Sequence, residues 1–358
     1  MPPIAKGDLV LITGASGFVA AHITEELLRS GYRVRGTVRS AAKGEYLRKL
    51  YPGQPFEYVI IKDVEQDGAL DEAVKGIDAA IHPATPCTTT GTVAEEFIGP
   101  AVKGTTELLY ALQKNAPGVK AVVFTSSTAT IQNFRGPENP EPWHETSADW
   151  NVQSVAYIEN NPPSDPMWGV HAYMASKVKA EQAFWEFMEV HKPTWQGVVI
   201  NPPWVFGPVL HDFKDVASLN LSSKLFWDWV SGEKGEKDLP GPIVGGWVDV
   251  RDVAIAHVRA LERPQAASQR YIVCGGELAG QHWVDVLHAH YPDHPLIKKN
   301  APVGVKGSGD EAIKALNTHD QVTAQEALGL EYTSLEQSTK DMFETIAKKL
   351  GVFEDASV

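Results

Sequence analysis

Cysteine is nearly missing: Cys87 and Cys274 are the only two in 358 residues. That excludes a disulfide framework, and with no Cys-x-x-Cys pair the usual structural zinc spacings are missing too. Long apolar runs are missing as well. No stretch of 18 apolar residues is present to span a bilayer, and the first eight residues, carrying Lys6 and Asp8, lack a signal-like apolar core. Positive charge is in deficit, with 32 Lys and Arg against 45 Asp and Glu and a formal net charge of -13. Without a basic run, a phosphate backbone or an anionic membrane surface is excluded as the main partner. The histidines His282, His288, His290 and His294 share one helical surface with no cysteine nearby, so no metal site is expected. There is no internal repeat or low-complexity segment. These absences predict a cytoplasmic globular chain, monomer or homodimer, whose partner is a small molecule.

What is present begins at Leu9-Val10-Leu11-Ile12-Thr13-Gly14-Ala15-Ser16-Gly17-Phe18-Val19-Ala20. Four consecutive apolar residues read as a strand buried on both faces, and Phe18–Arg29 continues with helical spacing. The turn between them offers backbone N–H groups and the positive end of a helix to an anion, with no Cβ on Gly14 or Gly17 to block a pyrophosphate. Ala20 lets the helix lie close on its strand. The spacing Gly-x-x-Gly-x-x-Ala differs by one residue from the usual dinucleotide fingerprint.

The next strand, within 31–39, ends in Arg39 with Lys43 just beyond. NAD recognition needs a carboxylate at this strand end to hold the ribose 2′-hydroxyl. Thr37 and Val38 stand there instead, and Arg39 and Lys43 suit a 2′-phosphate. Ala41–Leu50 reads as a helix and 56–61 as a third strand, with Asp63 and Val64 following at the edge where an adenine would lie. Asp63 serves equally well as a turn cap. Residues 78–82 give a fourth strand ending at His82, read as a structural histidine, followed by the small-residue loop that contains Ala84 and Thr85. A helix over 92–114 and a strand over 120–124, ending in Thr125-Ser126-Ser127, continue the alternation. This pattern specifies an α/β fold, a Rossmann-type doubly wound parallel sheet with ligands at the carboxyl ends of its strands.

Residues 132–167 show little periodicity and read as an ordered excursion over the site. Tyr173-Met174-Ala175-Ser176-Lys177 opens an amphipathic helix running to about His191. Residues 198–200 form a strand, and the three prolines of Asn201-Pro202-Pro203-Trp204-Val205-Phe206-Gly207-Pro208 indicate a rigid loop. A polar helical excursion covers 209–243. Residues 245–254 lead into a helix ending near Leu261, then a strand over 271–274, a helix over 282–290, a flexible stretch over 306–310 and a final helix over 334–350. The expected division is a dinucleotide-binding domain over 1–200, completed by about 244–274, and a smaller C-terminal substrate lobe from 201–243 and 275–358.

Tyr173 and Lys177 lie four apart on one helix face, which suggests carbonyl–alcohol chemistry. A phenol titrates near pH ~10, and an ammonium close by favours phenolate, so Tyr173 is a candidate proton donor. Lys177 also suits the nicotinamide ribose hydroxyls. Ser127 can donate to a carbonyl oxygen whose charge grows as hydride arrives, a contribution of roughly 2 to 4 kcal/mol.

Together these motifs resemble the extended short-chain dehydrogenase/reductases, and within them the branch of fungal NADPH-dependent aldehyde, ketone and methylglyoxal reductases and plant dihydroflavonol reductases. The likeness runs through the glycine turn, Arg39 with Lys43, Asp63-Val64, Phe124-Thr125-Ser126-Ser127, Tyr173 to Lys177, the 201–208 segment and Val248-Asp249-Val250-Arg251-Asp252-Val253-Ala254. It implies Ser127, Tyr173 and Lys177 as catalytic residues. It implies NADPH as cofactor, held by Gly14, Ser16, Gly17, Phe18, Val19, Arg39, Lys43, Asp63, Val64, Ala84, Thr85, Tyr173, Lys177, Pro202, Val205 and Ser222. Ser127, Tyr173 and Trp204 would face an aldehyde or ketone, in a pocket extended by the 83–88 loop, the 132–168 excursion and the segment near Trp227. Pro203-Trp204 and the His82 to Cys87 loop depart from the family's usual form, which puts individuality into the substrate. Two alternatives remain: a nucleotide-sugar epimerase or dehydratase, and a non-catalytic NADP-sensing regulator.

Overall fold

The computed structural model describes residues 4–83, 91, 93–134, 141–241 and 243–353. In chain order, β1 (Leu9–Ile12), α1 (Phe18–Arg29), β2 (Arg33–Val38), α2 (Ala41–Leu50), β3 (Phe56–Ile60) and β4 (Ala79–His82) form the first half of a sheet. α3 (Glu95–Asn115) and β5 (Ala121–Thr125) follow, then β6 (His144–Glu145), α4 (Val152–Asn160), α5 (Trp168–His191) and β7 (Gln196–Asn201). β8 (Trp204–Phe206), α6 (Leu221–Ser231), β9 (Ile243–Asp249), α7 (Val250–Glu262), β10 (Arg270–Ile272) and β11 (Gly276–Ala279) come next. The chain closes with α8 (Gly280–His290), α9 (Pro295–Asn300), α10 (Ser308–Ile313), β12 (Thr318–His319), α11 (Val322–Leu328) and α12 (Leu335–Lys349).

Seven strands make the main sheet in the order β10-β7-β5-β4-β1-β2-β3, and every pairing in it is parallel. All their carboxyl ends therefore share one edge. Alternation along β1 divides the core: Val10 and Ile12 pack with Ile23, Leu27 and Val253, whereas Leu9 and Leu11 pack with Leu108, Leu112 and Phe184. The double burial expected of this strand is observed, and truncating Leu11 to Ala would cost about 2–5 kcal/mol. Two small sheets stand apart: β11-β9-β8, and the pair β12-β6.

Five expectations need correction. The β3–β4 crossover carries turns and no helix, so the strand–helix alternation is interrupted; Gly68 and Gly76, both at positive φ, bend it while Leu70, Ala73 and Val74 are buried. The 132–167 excursion contains α4, a helix capped by the Asn151 side chain accepting from the Ser154 N–H, a local signal that apolar periodicity does not register. α5 starts at Trp168, five residues before Tyr173, and is buried against both α3 and α4 rather than on one amphipathic face. Beyond Pro203, the expected loop pairs as β8 with β9, and α10 stands across the stretch read as flexible.

Candidate active site

The glycine turn is held from beneath by the second strand. The Gly14 N–H donates to Thr37 Oγ1 at 2.9 Å, the Ala15 N–H donates to the Thr37 carbonyl at 2.9 Å, and Gly14 has φ +60°. A Cβ on Gly36 would lie 2.6 Å from the Ala15 Cβ, so a side chain at Gly36 would push the turn off the sheet. Gly36 and the buried Thr37 thus shape the turn, a role the sequence reading missed. The signal was the Gly-Thr pair inside a strand, since glycine there marks close backbone approach. Gly17 is the N-cap of α1 and supplies no side-chain cap, leaving the helix's first N–H groups directed to the strand edge. Ser16 and Val19 are half-buried beside it and Phe18 is buried. An anion at a helix N-terminus fits this geometry.

Arg39 is exposed just beyond β2, and the Ser40 side chain caps α2 by accepting from the Lys43 N–H. Lys43 is not idle: its Nζ lies 3.3 Å from Asp212 Oδ2, and Lys349 approaches the same carboxylate at 3.8 Å. Asp212 is therefore a third charge in the region assigned to the 2′-phosphate, brought there from a loop 169 residues away. At the end of β3, Asp63 Oδ1 accepts the Glu65 N–H at 2.9 Å, so it caps a turn; Val64 beside it is half-buried. Ala84 and Thr85 lie outside the described residues.

His82 ends β4, buried, with Nδ1 2.6 Å from Thr13 Oγ1. Burial, and after it the charge of Lys177, holds its pKa down at about 3, so the imidazole is neutral. Lys177 is 8% exposed and its Nζ sits 5.7 Å from the centre of the Tyr173 ring. The lysine thus lies near both the Tyr173 ring and His82 at the end of β4.

Ser127 follows β5 and opens a single 3-10 turn, Thr128–Thr130, against which α5 packs. Its Oγ accepts the Ala129 N–H at 3.1 Å, and its carbonyl accepts from Asn201 Nδ2 at 3.2 Å. Beneath lies a carboxylate that the sequence reading passed over. Glu181 is fully buried one helical turn beyond Lys177 and accepts from Ser126 Oγ at 2.6 Å, Thr130 Oγ1 at 2.8 Å, Asn201 Nδ2 at 2.8 Å and Arg270 Nε. Continuing the Tyr173, Lys177 spacing by four would have found it.

Pro202 is buried after β7, where its carbonyl accepts the Thr128 N–H. Val205 is buried on β8 opposite Val248, whereas Trp204 is 37% exposed with its ring 6.3 Å from that of Phe206. Ser222, near the start of α6, accepts from Asn220 Nδ2 at 2.8 Å. Trp227 is 4% exposed and stacks on Phe343, which makes it core rather than pocket lining. The four histidines of the C-terminal part go to separate partners: His282 to Asp310, His288 to the Pro302 carbonyl, His290 to Glu336 and His294 to the Leu296 N–H. A surface hollow of about 390 Å³ beside Trp150, Trp185 and Gln269 opens at the amino end of β10, the opposite edge of the sheet. Among the described residues no helix is long and apolar enough to cross a membrane.

Residues 10–275 match the NAD dependent epimerase/dehydratase family. The ketoreductase azaE of Aspergillus niger is 36% identical over 339 residues, 93% of this chain and 95% of that protein. The NADPH-dependent methylglyoxal reductase of Saccharomyces cerevisiae is 32% identical over 95% of this chain and 98% of that one. A crystal structure of the yeast methylglyoxal/isovaleraldehyde reductase complexed with NADPH superposes with a TM-score of 0.84 at 31% identity, covering 96% of this chain and 100% of the other.

Proposed function

The chain belongs to the NAD dependent epimerase/dehydratase family, and on that premise we propose that it is an NADPH-dependent carbonyl reductase that converts a neutral aldehyde or ketone to the alcohol. The observation that carries this reading is the meeting, at one sheet edge, of an uncapped helix N-terminus, an exposed Arg39 beside Lys43, and the Tyr173–Lys177 face of α5. The bound nicotinamide would supply the hydride.

Every other part of the reaction falls to this chain's side chains. The turn from Gly14 to Val19 receives the pyrophosphate, Arg39 and Lys43 the 2′-phosphate, and Asp63 with Val64 the adenine side. Pro202, Val205 and Ser222 border the nicotinamide half. Lys177 binds the ribose hydroxyls and sets the charge beside Tyr173, whose Oη gives the proton to the nascent alkoxide. Ser127 Oγ donates to the same oxygen. His82, being neutral, adds no second positive charge next to Lys177. Trp204 forms one wall of an apolar slot, which suits aryl or medium-chain carbonyls better than sugar phosphates. The lobe over 201–243 and 275–358 closes that slot. The protein works in the cytoplasm as a monomer or homodimer.

The family's dehydratase chemistry is disfavoured by the residues just after Ser127, a buried Thr-Ala-Thr turn rather than an acidic pair. NADPH consumption against a panel of aryl ketones, short aldehydes and nucleotide sugars tests the proposal. Turnover confined to the nucleotide sugars, or a preference for NADH, would refute it.

A further inference from the structure

A second cluster lies at the carboxyl end of β10, apart from the Tyr173 site. Cys274 follows that strand, Glu277 sits on β11 and His319 on β12, and one donor atom from each lies within 4.8 Å of the others. Cys274 is fully buried and His319 is 5% exposed. His319 Nδ1 is 3.7 Å from Glu277 Oε1, too far for a hydrogen bond, and both atoms are buried without a hydrogen-bond partner. On the other side of the ring, Nε2 lies 3.2 Å from Glu145 Oε2 without hydrogen-bond geometry, and Asn317 Nδ2 anchors the second Glu145 oxygen at 3.0 Å. The ring packs against Gly246, where a Cβ would come within 2.7 Å of it.

We propose that Cys274, Glu277 and His319 form a binding site for a divalent transition metal of the Zn2+ class, with Glu145 orienting the histidine. The donor set selects the metal: thiolate, imidazole and one carboxylate suit Zn2+ or Co2+, whereas Mg2+ and Ca2+ require oxygen ligands. A tetrahedral ion with bonds of about 2.0–2.3 Å spaces its ligands by roughly 3.3–3.7 Å. The Nδ1–Oε1 gap already has that length, and the sulfur needs about 1 Å of movement. A metal-bound histidine also characteristically gives its other N–H to a carboxylate, which is the position of Glu145. The ion would tie β6 of the 132–167 excursion, through Glu145 and His319, to β11 and the end of the main sheet.

Co2+ added to the tag-free, chelator-stripped full-length protein is the test. One equivalent should bind with a thiolate-to-cobalt charge-transfer band and four-coordinate d–d bands, and Zn2+ should displace it while raising the melting temperature. Cys274→Ser should abolish the charge-transfer band, His319→Gln should weaken Co2+ binding at least tenfold, and Glu145→Gln about ten- to a hundredfold. Cys87→Ser should leave the band intact. A wild-type protein or Cys87→Ser variant with no thiolate band would overturn the proposal whether or not the other variants fold. So would Co2+ affinity unchanged in Cys274→Ser, which would move binding to surface histidines.

Discussion

Glu181→Gln is the most informative single change outside the reacting groups. The wild-type carboxylate receives Ser126, Thr130, Asn201 and Arg270, and the Arg270 side chain is only 10% exposed. Glutamine preserves the volume but turns an N–H toward these donors and leaves the guanidinium without its counter-charge. Breaking one side of a buried ion pair costs about 3–5 kcal/mol, or roughly a hundred- to several-thousandfold in the unfolding equilibrium. Asn201 also holds the Ser127 carbonyl, so kcat should fall more than KM rises. Urea unfolding followed by the fluorescence of the ten tryptophans, with linear extrapolation, measures the first effect. Removing both charges, Glu181→Leu with Arg270→Met, should cost less than Glu181→Leu alone. A Glu181→Gln protein within about 1 kcal/mol of wild type, or a double variant worse than the single one, would refute the reasoning.

Arg39→Ala should weaken NADPH binding about ten- to a hundredfold, the worth of one charged hydrogen-bonded contact, and NADH binding by no more than a few-fold; equal losses, by fluorescence titration, would remove the 2′-phosphate assignment. Tyr173→Phe should keep the NADPH dissociation constant within a few-fold while kcat drops about 10²- to 10⁴-fold, as expected when a general acid is deleted. Trp204→Ala should broaden the accepted ketones and change product enantiomer ratios with cofactor affinity nearly constant; unchanged ratios with weaker cofactor binding would make it structural. Stability should fall as pH drops from 6.5 toward 4. His22, His211 and His257 have folded pKa values near 4, each lowered first by burial, so the unfolded chain takes up protons that the folded one refuses. Each contributes up to ~1.4 kcal/mol per pH unit in that window, and His257→Gln should flatten the slope of the melting-temperature profile by one proton's share.

The parallel sheet was legible because β1, β4, β5 and β7 are short apolar runs bounded by turn residues, and burial on both faces leaves that mark in sequence. Tyr173 and Lys177 were legible because helical spacing alone places them on one face. Asp212 was not: nothing local ties a loop aspartate to Lys43, and only the return of the chain across the sheet makes them neighbours. Cys274 and His319 were hidden for the same reason, being 45 positions apart, one just after β10 and the other on β12. Helix α4 escaped because its cap carries more of the signal than its weak apolar pattern.

The packing of α7 against α1 has a consequence for biosynthesis. Ile23 and Leu27 of the first helix are covered in part by Val253 and its neighbours, roughly 230 residues further along. At about 5–20 residues per second the ribosome needs some 10–45 s to deliver that cover. Throughout this interval the emerging amino-terminal half presents an oily helix face with no lid, and β7, once made, still lacks β10, the last strand to join its edge. A holding chaperone acting on the nascent chain would find its binding surface there, and slowing elongation between codons 30 and 250 should lower the soluble yield without altering the finished enzyme.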